Sequence, residues 1–238
     1  MRTGRSFAAW IEQSYRLKND DRYESGLLSR LDYVAGAPES RCYSDYVPDP
    51  DRSRSLLQVR TVFLDRDGVI NQKAPEGEYV RSPGEVRVLP GVPESIARLN
   101  RAGLRTVVVS NQRGIAKGLY TAADVEAIHR AVQEMLLKHG ARLDAFFYCP
   151  HDLNECQCRK PLPGMFEQAA KAFPGLRADA SVMIGDSYSD VEFGRRLGMA
   201  TILIDGDPER PDVAEAARVA DWRASSLHEA VNLLLERR

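Results

Sequence analysis

An α/β architecture, a mostly parallel sheet covered by helices on both faces, is what this sequence predicts, and two observations predict it. From Arg60 onward, apolar runs of strand length alternate with segments of helical period, the pattern of parallel strands joined by helical crossovers. Acidic, amide and cationic residues gather directly after those apolar runs. The carboxyl ends of parallel strands are where open α/β sheets bind ligands, so the expected sheet is Rossmann-like.

Taken in order, "VRTVFL" ending at Leu64 reads as the first strand. "PESIARLNRAG" follows as a helix, with Pro93 near its start and Gly103 near its end, the asymmetry that helix termini prefer. "RTVVV" ending at Val109 is the second strand. The clearest helix runs from Thr121 to about His139: Thr121 is placed as N-cap with Asp124 three residues on, and Val125, Ile128, Val132 and Leu136 recur at helical spacing before Gly140 supplies a stop. "AFFY" ending at Tyr148, "SVMI" ending at Ile184 and "TILI" ending at Ile204 are the remaining strands. The start of the chain reads differently. "SFAAWIEQSYRLKNDDRYESGLLSRLDYV" suits one or two helices with Trp10, Ile11 and Leu17 on a loose stripe, and "YVPDPDRSRS" suits a connector. The expected division is therefore a helical extension over 1–58 and a main domain over 59–238.

Charged residues make up 28% of the 238 residues and the formal net charge is -1, so no global field draws the chain to nucleic acid or to an anionic membrane. No basic stripe with interleaved aromatics is present to track a strand of nucleic acid. The first residues lack a secretory apolar core, and no apolar run approaches the roughly 20 residues of a membrane span. A cytoplasmic protein with a small-molecule partner is expected.

The chemistry lies at four strand ends: "DRDGVIN", "SNQRGIAKG", "CPHDLNECQCRKPLPGM" and "GDSYSD". Asp65, Asp67 and Asp186 offer oxygen ligands from two of them, which suits Mg²⁺. An acidic cluster with a cationic Lys160 suits a bound phosphoryl group, and a carboxylate can also be the nucleophile, by way of an aspartyl-phosphate. One Asp after a strand is more often a turn or cap residue; four furnished strand ends reverse that reading. Cys149, His151, Cys156 and Cys158 form C-x-H-x4-C-x-C, three thiolates and an imidazole that suit a closed, structural zinc site over 149–158. The alternatives are a disulfide or an ordinary turn with free thiols. Cys158 is bonded to Arg159, so zinc there would fix the Arg159–Lys160 pair, and Arg159 could fork onto a second anion. Cys42 stands apart.

"FLDRDGVIN", "VVVSNQRGIAKG", "CRKPLPGM" and "MIGDSYSD" resemble, in order, the four motifs of the haloacid dehalogenase-like phosphatases, over about Val62 to Asp205. The resemblance implies that Asp65 attacks phosphorus and that Asp67 protonates the leaving oxygen and then activates water. It implies that Ser110 and Lys160 hold the phosphoryl oxygens, and that Asp65, the backbone carbonyl of Asp67 and Asp186 bind Mg²⁺. Asn111, Gln112, Arg113 and Arg159 are expected to face the substrate, and Asp190 either supports the site or caps the next helix. The zinc-loop version is similar to the heptose 1,7-bisphosphate 7-phosphatases and to the histidinol-phosphatase domains, and "KPLPGM" leans toward the former. A phosphorylated sugar is the implied substrate, with histidinol phosphate as the alternative. A non-catalytic phosphate-binding or assembly subunit is the alternative of another class, against which the presence of both Asp65 and Asp67 speaks. Two departures from the relatives stand out, Ser187 where a basic residue is common and Arg113 where a small Ser is common. Only 44 residues separate Asp65 from Ser110 and 48 separate Ser110 from Arg159, so no large cap domain is expected. The entrance would be bordered by the zinc loop and by Gln72 to Gly84, and the extension would pack on the main domain or on another subunit, with a separate binding role as the alternative.

Overall fold

The computed structural model describes residues 56–205 and 211–237, so all but the last three residues of the expected 1–58 extension lie outside it. Six strands form one sheet: β1 Thr61–Leu64, β2 Arg105–Asn111, β3 Ala145–Cys149, β4 Ser181–Gly185, β5 Ala200–Ile204 and β6 Trp222–Ala224. Their order is β3-β2-β1-β4-β5-β6, and every neighbouring pair is parallel. Among the described residues six α-helices connect and flank them: α1 Val92–Arg101, α2 Ala122–Leu137, α3 Gly164–Ala172, α4 Tyr188–Leu197, α5 Pro211–Val219 and α6 Leu227–Glu236.

The period of two along each strand divides the core between the two faces of the sheet. Val62, Leu64, Val108, Val182 and Ile184 pack on one face with Ile96 and Leu99 of α1, Ile128 and Val132 of α2, and Val231 and Leu234 of α6. Phe63, Val107, Val109 and Met183 pack on the other with Met165 and Ala169 of α3 and Phe193 of α4. The register pairs Phe63 with both Val107 and Met183, so that second row is continuous across three strands. Burial on both faces is why the strands read as unbroken apolar runs rather than as alternation. Leu56, ahead of β1, is already fully buried in the first of these clusters.

All five strands expected from the apolar runs are present. β2 runs two residues past Val109, because Ser110 and Asn111 still pair with Tyr148 and Cys149 of β3. The sixth, Trp222–Ala224, has three residues with an exposed Arg223 in the middle, too short for a period to register in sequence. α2 forms as expected, with Thr121 as its N-cap. No large cap domain is present among the described residues. No helix among them is long and apolar enough to cross a membrane.

This topology determines where a site can form. β1 is flanked by β2 on one side and by β4 on the other, so the chain leaves β1 in one direction and later returns on the opposite side. The crevice beyond the carboxyl end of β1 is the switch point at which such sheets bind ligands.

Candidate active site

Asp65 is the first residue past β1, and its backbone N–H still donates to the Ile184 carbonyl at 3.0 Å, so the sheet holds it. The chain then turns sharply: the Gly68 N–H donates to the Asn71 carbonyl at 2.8 Å and the Ile70 N–H to the Arg66 carbonyl at 2.9 Å. Gly68 has φ 97°, and a Cβ there would lie 2.4 Å from Asp186 Oδ2. Only glycine satisfies both demands, the left-handed backbone and the close approach of the β4 carboxylate.

Lys160 reaches the same point from the far side of the sheet. Its Nζ donates to Asp65 Oδ1 at 2.7 Å and to the Val109 carbonyl at 2.7 Å, and lies 2.6 Å from Asp190 Oδ1. Asn111 pins its backbone, accepting from the Lys160 N–H at 3.0 Å and donating to its carbonyl at 3.2 Å. Asn111 thus acts on Lys160 rather than presenting both ends of its amide to the pocket. Asp190 combines the two roles left open by the sequence. Its Oδ2 accepts from the Ser187 N–H at 3.1 Å and from Ser187 Oγ at 2.6 Å, capping α4, while Oδ1 faces Lys160.

Gln112 is the second organising residue. Its Nε2 donates to Ser110 Oγ at 2.7 Å and to Asp67 Oδ2 at 3.1 Å, while its Oε1 accepts from Tyr120 Oη at 2.9 Å and from Arg66 Nη2 at 3.3 Å. Asp67 further accepts from Arg66 Nη2 at 2.8 Å and from Asn71 Nδ2 at 2.9 Å. Arg66, with its side chain 1% exposed, also approaches His129 Nε2 at 3.4 Å. Arg66, Asn71 and Tyr120 carried no signal in the sequence beyond adjacency to the motifs: Arg66 and Tyr120 meet Gln112, and Arg66 also His129 of α2, only in the folded chain, while Asn71 acts within its own turn, on Asp67.

The electrostatics follow from this arrangement. Burial pushes the Asp65 carboxyl up to about 7; the Lys160 ammonium opposes the rise, and the carboxylates of Asp190, Asp186 and Asp67 add to it. Burial also raises Asp67, but the Arg66 guanidinium and hydrogen bonds from Asn71, Arg66 and Gln112 outweigh it and hold the group below the usual carboxylate range. Burial pulls the Lys160 ammonium down, and Asp190 and then Asp65 more than restore it.

Oxygens of Asp65, Asp186 and Asp190 lie within 4.8 Å of one another. Asp186 already carries one cation, since Lys73 Nζ donates to its Oδ2 at 2.7 Å. A buried set of carboxylates that raises Asp65 and draws an ammonium onto Asp186 fits a hard divalent cation, which would lower Asp65 toward its ionised form.

The second cluster starts at Cys149, the last residue of β3, and continues in the loop after it. Cys149 Sγ is 3.4 Å from Cys156 Sγ, Cys156 Sγ is 3.4 Å from Cys158 Sγ, and His151 Nδ1 is 3.3 Å from Cys158 Sγ and 3.8 Å from Cys149 Sγ. Tetrahedral zinc with bonds of about 2.3 Å to sulfur spaces its ligands by roughly 3.8 Å, so the four atoms fit that ion. Hydrogen bonding from Cys158, with further help from His151 and Cys156, outweighs burial and pushes the Cys149 thiol down to about 5. One thiolate is thus favoured before any metal binds.

Arg113 is placed on this loop. Its Nε donates to Asp152 Oδ1, whereas Ser110, Asn111 and Gln112 line the pocket. That pocket, of about 900 Å³, is lined by Asp65, Asp67, Asp186 and Lys160 and also by Arg159 and residues 73–80. Arg159 Nη1 is buried with no hydrogen-bond partner among the described residues, a donor arrangement that suits an anion.

A HAD-hydrolase-like family profile matches residues 157–230. The D-glycero-beta-D-manno-heptose-1,7-bisphosphate 7-phosphatase of Bordetella bronchiseptica is 37% identical over 158 residues, which span 66% of this chain and 87% of that protein. The chain belongs to the haloacid dehalogenase-like phosphatases. This phosphatase is also 39% identical, over 140 residues, to a D-glycero-alpha-D-manno-heptose-1,7-bisphosphate 7-phosphatase of Mycobacterium bovis, with 58% of this chain and 73% of that protein covered. The crystal structure of D,D-heptose 1,7-bisphosphate phosphatase from B. bronchiseptica, complexed with magnesium and phosphate, matches 76% of the phosphatase and 100% of that chain with TM-score 0.68 and 33% identity.

Proposed function

We propose that this phosphatase removes the 7-phosphate of D-glycero-D-manno-heptose 1,7-bisphosphate, with Mg²⁺ at Asp65, the backbone carbonyl of Asp67 and Asp186. The observation that carries the substrate reading is Arg159, which lines the pocket together with Lys160 and whose Nη1 has no hydrogen-bond partner among the described residues, a donor left for a second anion besides the one being hydrolysed. The magnesium-bound relative and the names of both heptose phosphatases support it.

In this reading Asp65 attacks phosphorus, the bond to the C7 oxygen breaks, and an aspartyl-phosphate forms. Lys160, already 2.7 Å from Asp65, and Ser110 hold the phosphoryl oxygens as charge moves onto them. Bound Mg²⁺ supplies charge neutralisation between the carboxylates and the phosphate. Asp67 gives a proton to the departing oxygen, and the dianion at Asp65 favours that protonated form by like-charge repulsion. Its hydrogen bonds from Arg66, Asn71 and Gln112 suit the second half, in which ionised Asp67 takes a proton from the water that attacks the aspartyl-phosphate. Cys149, His151, Cys156 and Cys158 would hold zinc, which would fix the loop that carries Arg159. The reaction is assigned to the cytoplasm, with residues 1–58 as an appended segment.

The test is phosphate release by zinc-replete protein with Mg²⁺ from each heptose 1,7-bisphosphate anomer and from histidinol phosphate, beside Asp65→Asn. Preference for a heptose bisphosphate with no turnover by Asp65→Asn is expected. Preference for histidinol phosphate refutes the substrate, and release that survives Asp65→Asn refutes the nucleophile.

A further inference from the structure

Lys73 lies outside the motifs from which the site was first read. It sits in the loop that leaves the Asp67 turn, lines the pocket with residues 74–80, and spans 113 positions of sequence to reach Asp186 Oδ2 at 2.7 Å. The two lysines of the site are held very differently. Lys160 is buried among Asp65, Asp190 and the Val109 carbonyl, so moving it would strand several acceptors. Lys73 is held by Asp186 alone among the described residues, and its side chain is 42% exposed against 8% for that of Asp186.

We propose that Lys73 is an exchangeable counter-ion: it neutralises Asp186 while the site lacks a divalent cation, yields that carboxylate when the cation binds, and then presents its ammonium to an anionic group of the substrate. An ammonium at contact distance from a coordinated carboxylate meets the repulsion of a double positive charge. Its four-carbon stem lets it relieve that repulsion by turning into the open pocket. One positive charge thereby serves two purposes. Before metal binding it prevents Asp65, Asp186 and Asp190 from being an under-compensated buried cluster. Afterwards it adds to Arg159 on the pocket wall. The identity of the anion rests on the proposed bisphosphate reaction; the exchange at Asp186 does not.

Titration calorimetry of the full chain, dialysed free of Mg²⁺ and without substrate, tests the exchange. Lys73→Met is expected to bind Mg²⁺ about fivefold more tightly than wild type, the factor corresponding to loss of one partly exposed ion pair. At saturating Mg²⁺ the same variant should raise KM for heptose 1,7-bisphosphate by more than it lowers kcat, and Lys73→Arg should restore KM. Equal or weaker Mg²⁺ affinity in Lys73→Met overturns the exchange, and an unchanged KM overturns the role at the substrate. Since the metal titration contains no substrate, equal affinities sink the exchange with the reaction intact. Failure of wild type to turn over the heptose bisphosphate sinks the substrate reading with the affinity shift intact.

Discussion

Two helices of this phosphatase begin with the same device. Thr121 and Asp124 cap α2, with Asp124 Oδ2 accepting from the Thr121 N–H at 2.8 Å and from its Oγ1 at 2.7 Å. Ser187 and Asp190 cap α4 with the same two bonds at 3.1 and 2.6 Å. Locally the two boxes are interchangeable. Globally they are not: the first is exposed, whereas the second sits at the end of β4 with Asp190 buried and its other oxygen 2.6 Å from Lys160. A helix cap becomes part of the candidate active site when the sheet carries it to the switch point.

The variant expected to separate the boxes most is Asp190→Asn, which keeps an oxygen for the Ser187 bonds but turns an amide toward Lys160. Its kcat should fall on the order of 10²-fold through misplacement of Lys160, while Asp124→Asn should leave kcat within about twofold because that carboxylate faces solvent. Steady-state turnover at saturating Mg²⁺ measures both, and similar losses would abolish the distinction. Gly185→Ala comes next. A Cβ there would lie 2.2 Å from Asp190 Cβ, so the carboxylate must shift, and a loss of about tenfold in kcat is expected from a displacement smaller than its removal. Thermal melts should also show a loss of stability, about 1–3 kcal/mol, from overpacking against Asp190 Cβ.

Ser187→Ala and Thr121→Ala sharpen the comparison from the side of stability. Each removes a cap and should cost about 1 kcal/mol, read as a shift in urea midpoint. Only Ser187→Ala should also lower turnover, severalfold, because only its partner continues to Lys160. The smallest effect is on acid stability. The Thr121 N–H and then its hydroxyl hold the Asp124 carboxyl below the usual range, so its folded pKa lies under its unfolded one. Its contribution is complete above the unfolded value, about 4, and is lost as pH falls through the folded value. Asp124→Asn should therefore flatten the acid limb of a stability profile below about pH 4 and leave the neutral region unchanged in slope; an unchanged acid limb would show that the cap carries no linkage.

Much of this molecule was legible before any coordinates. Five strands announced themselves because parallel strands buried on both faces are apolar throughout, and α2 because its cap and period agree. Asp65, Ser110, Lys160 and Asp186 stood at the ends of those strands, and the sheet brings them to one crevice. Asn111, Gln112 and Arg113 were read together as facing the substrate because they are consecutive. In three dimensions they serve three ends: Asn111 holds the Lys160 backbone, Gln112 links Ser110 to Asp67, and Arg113 holds Asp152 of the cysteine loop. Sequence adjacency does not specify which way a side chain leaves a loop.

The sequence by itself determined the strand order of chemistry along the chain, the α/β class, the two carboxylates two residues apart and the spacing of the cysteine cluster, because periodicity and spacing are local properties. Only the tertiary structure decided that Asp190 serves Lys160 as well as its own helix, that Arg66 and Asn71 hold Asp67, and that Lys73 meets Asp186 across 113 positions. The Lys160–Asp190 and Lys73–Asp186 pairings join residues from different strand ends, the Arg66 and Asn71 bonds to Asp67 close one turn after β1, and the strength of all of them comes from burial and charge, which exist only once the sheet has assembled around them.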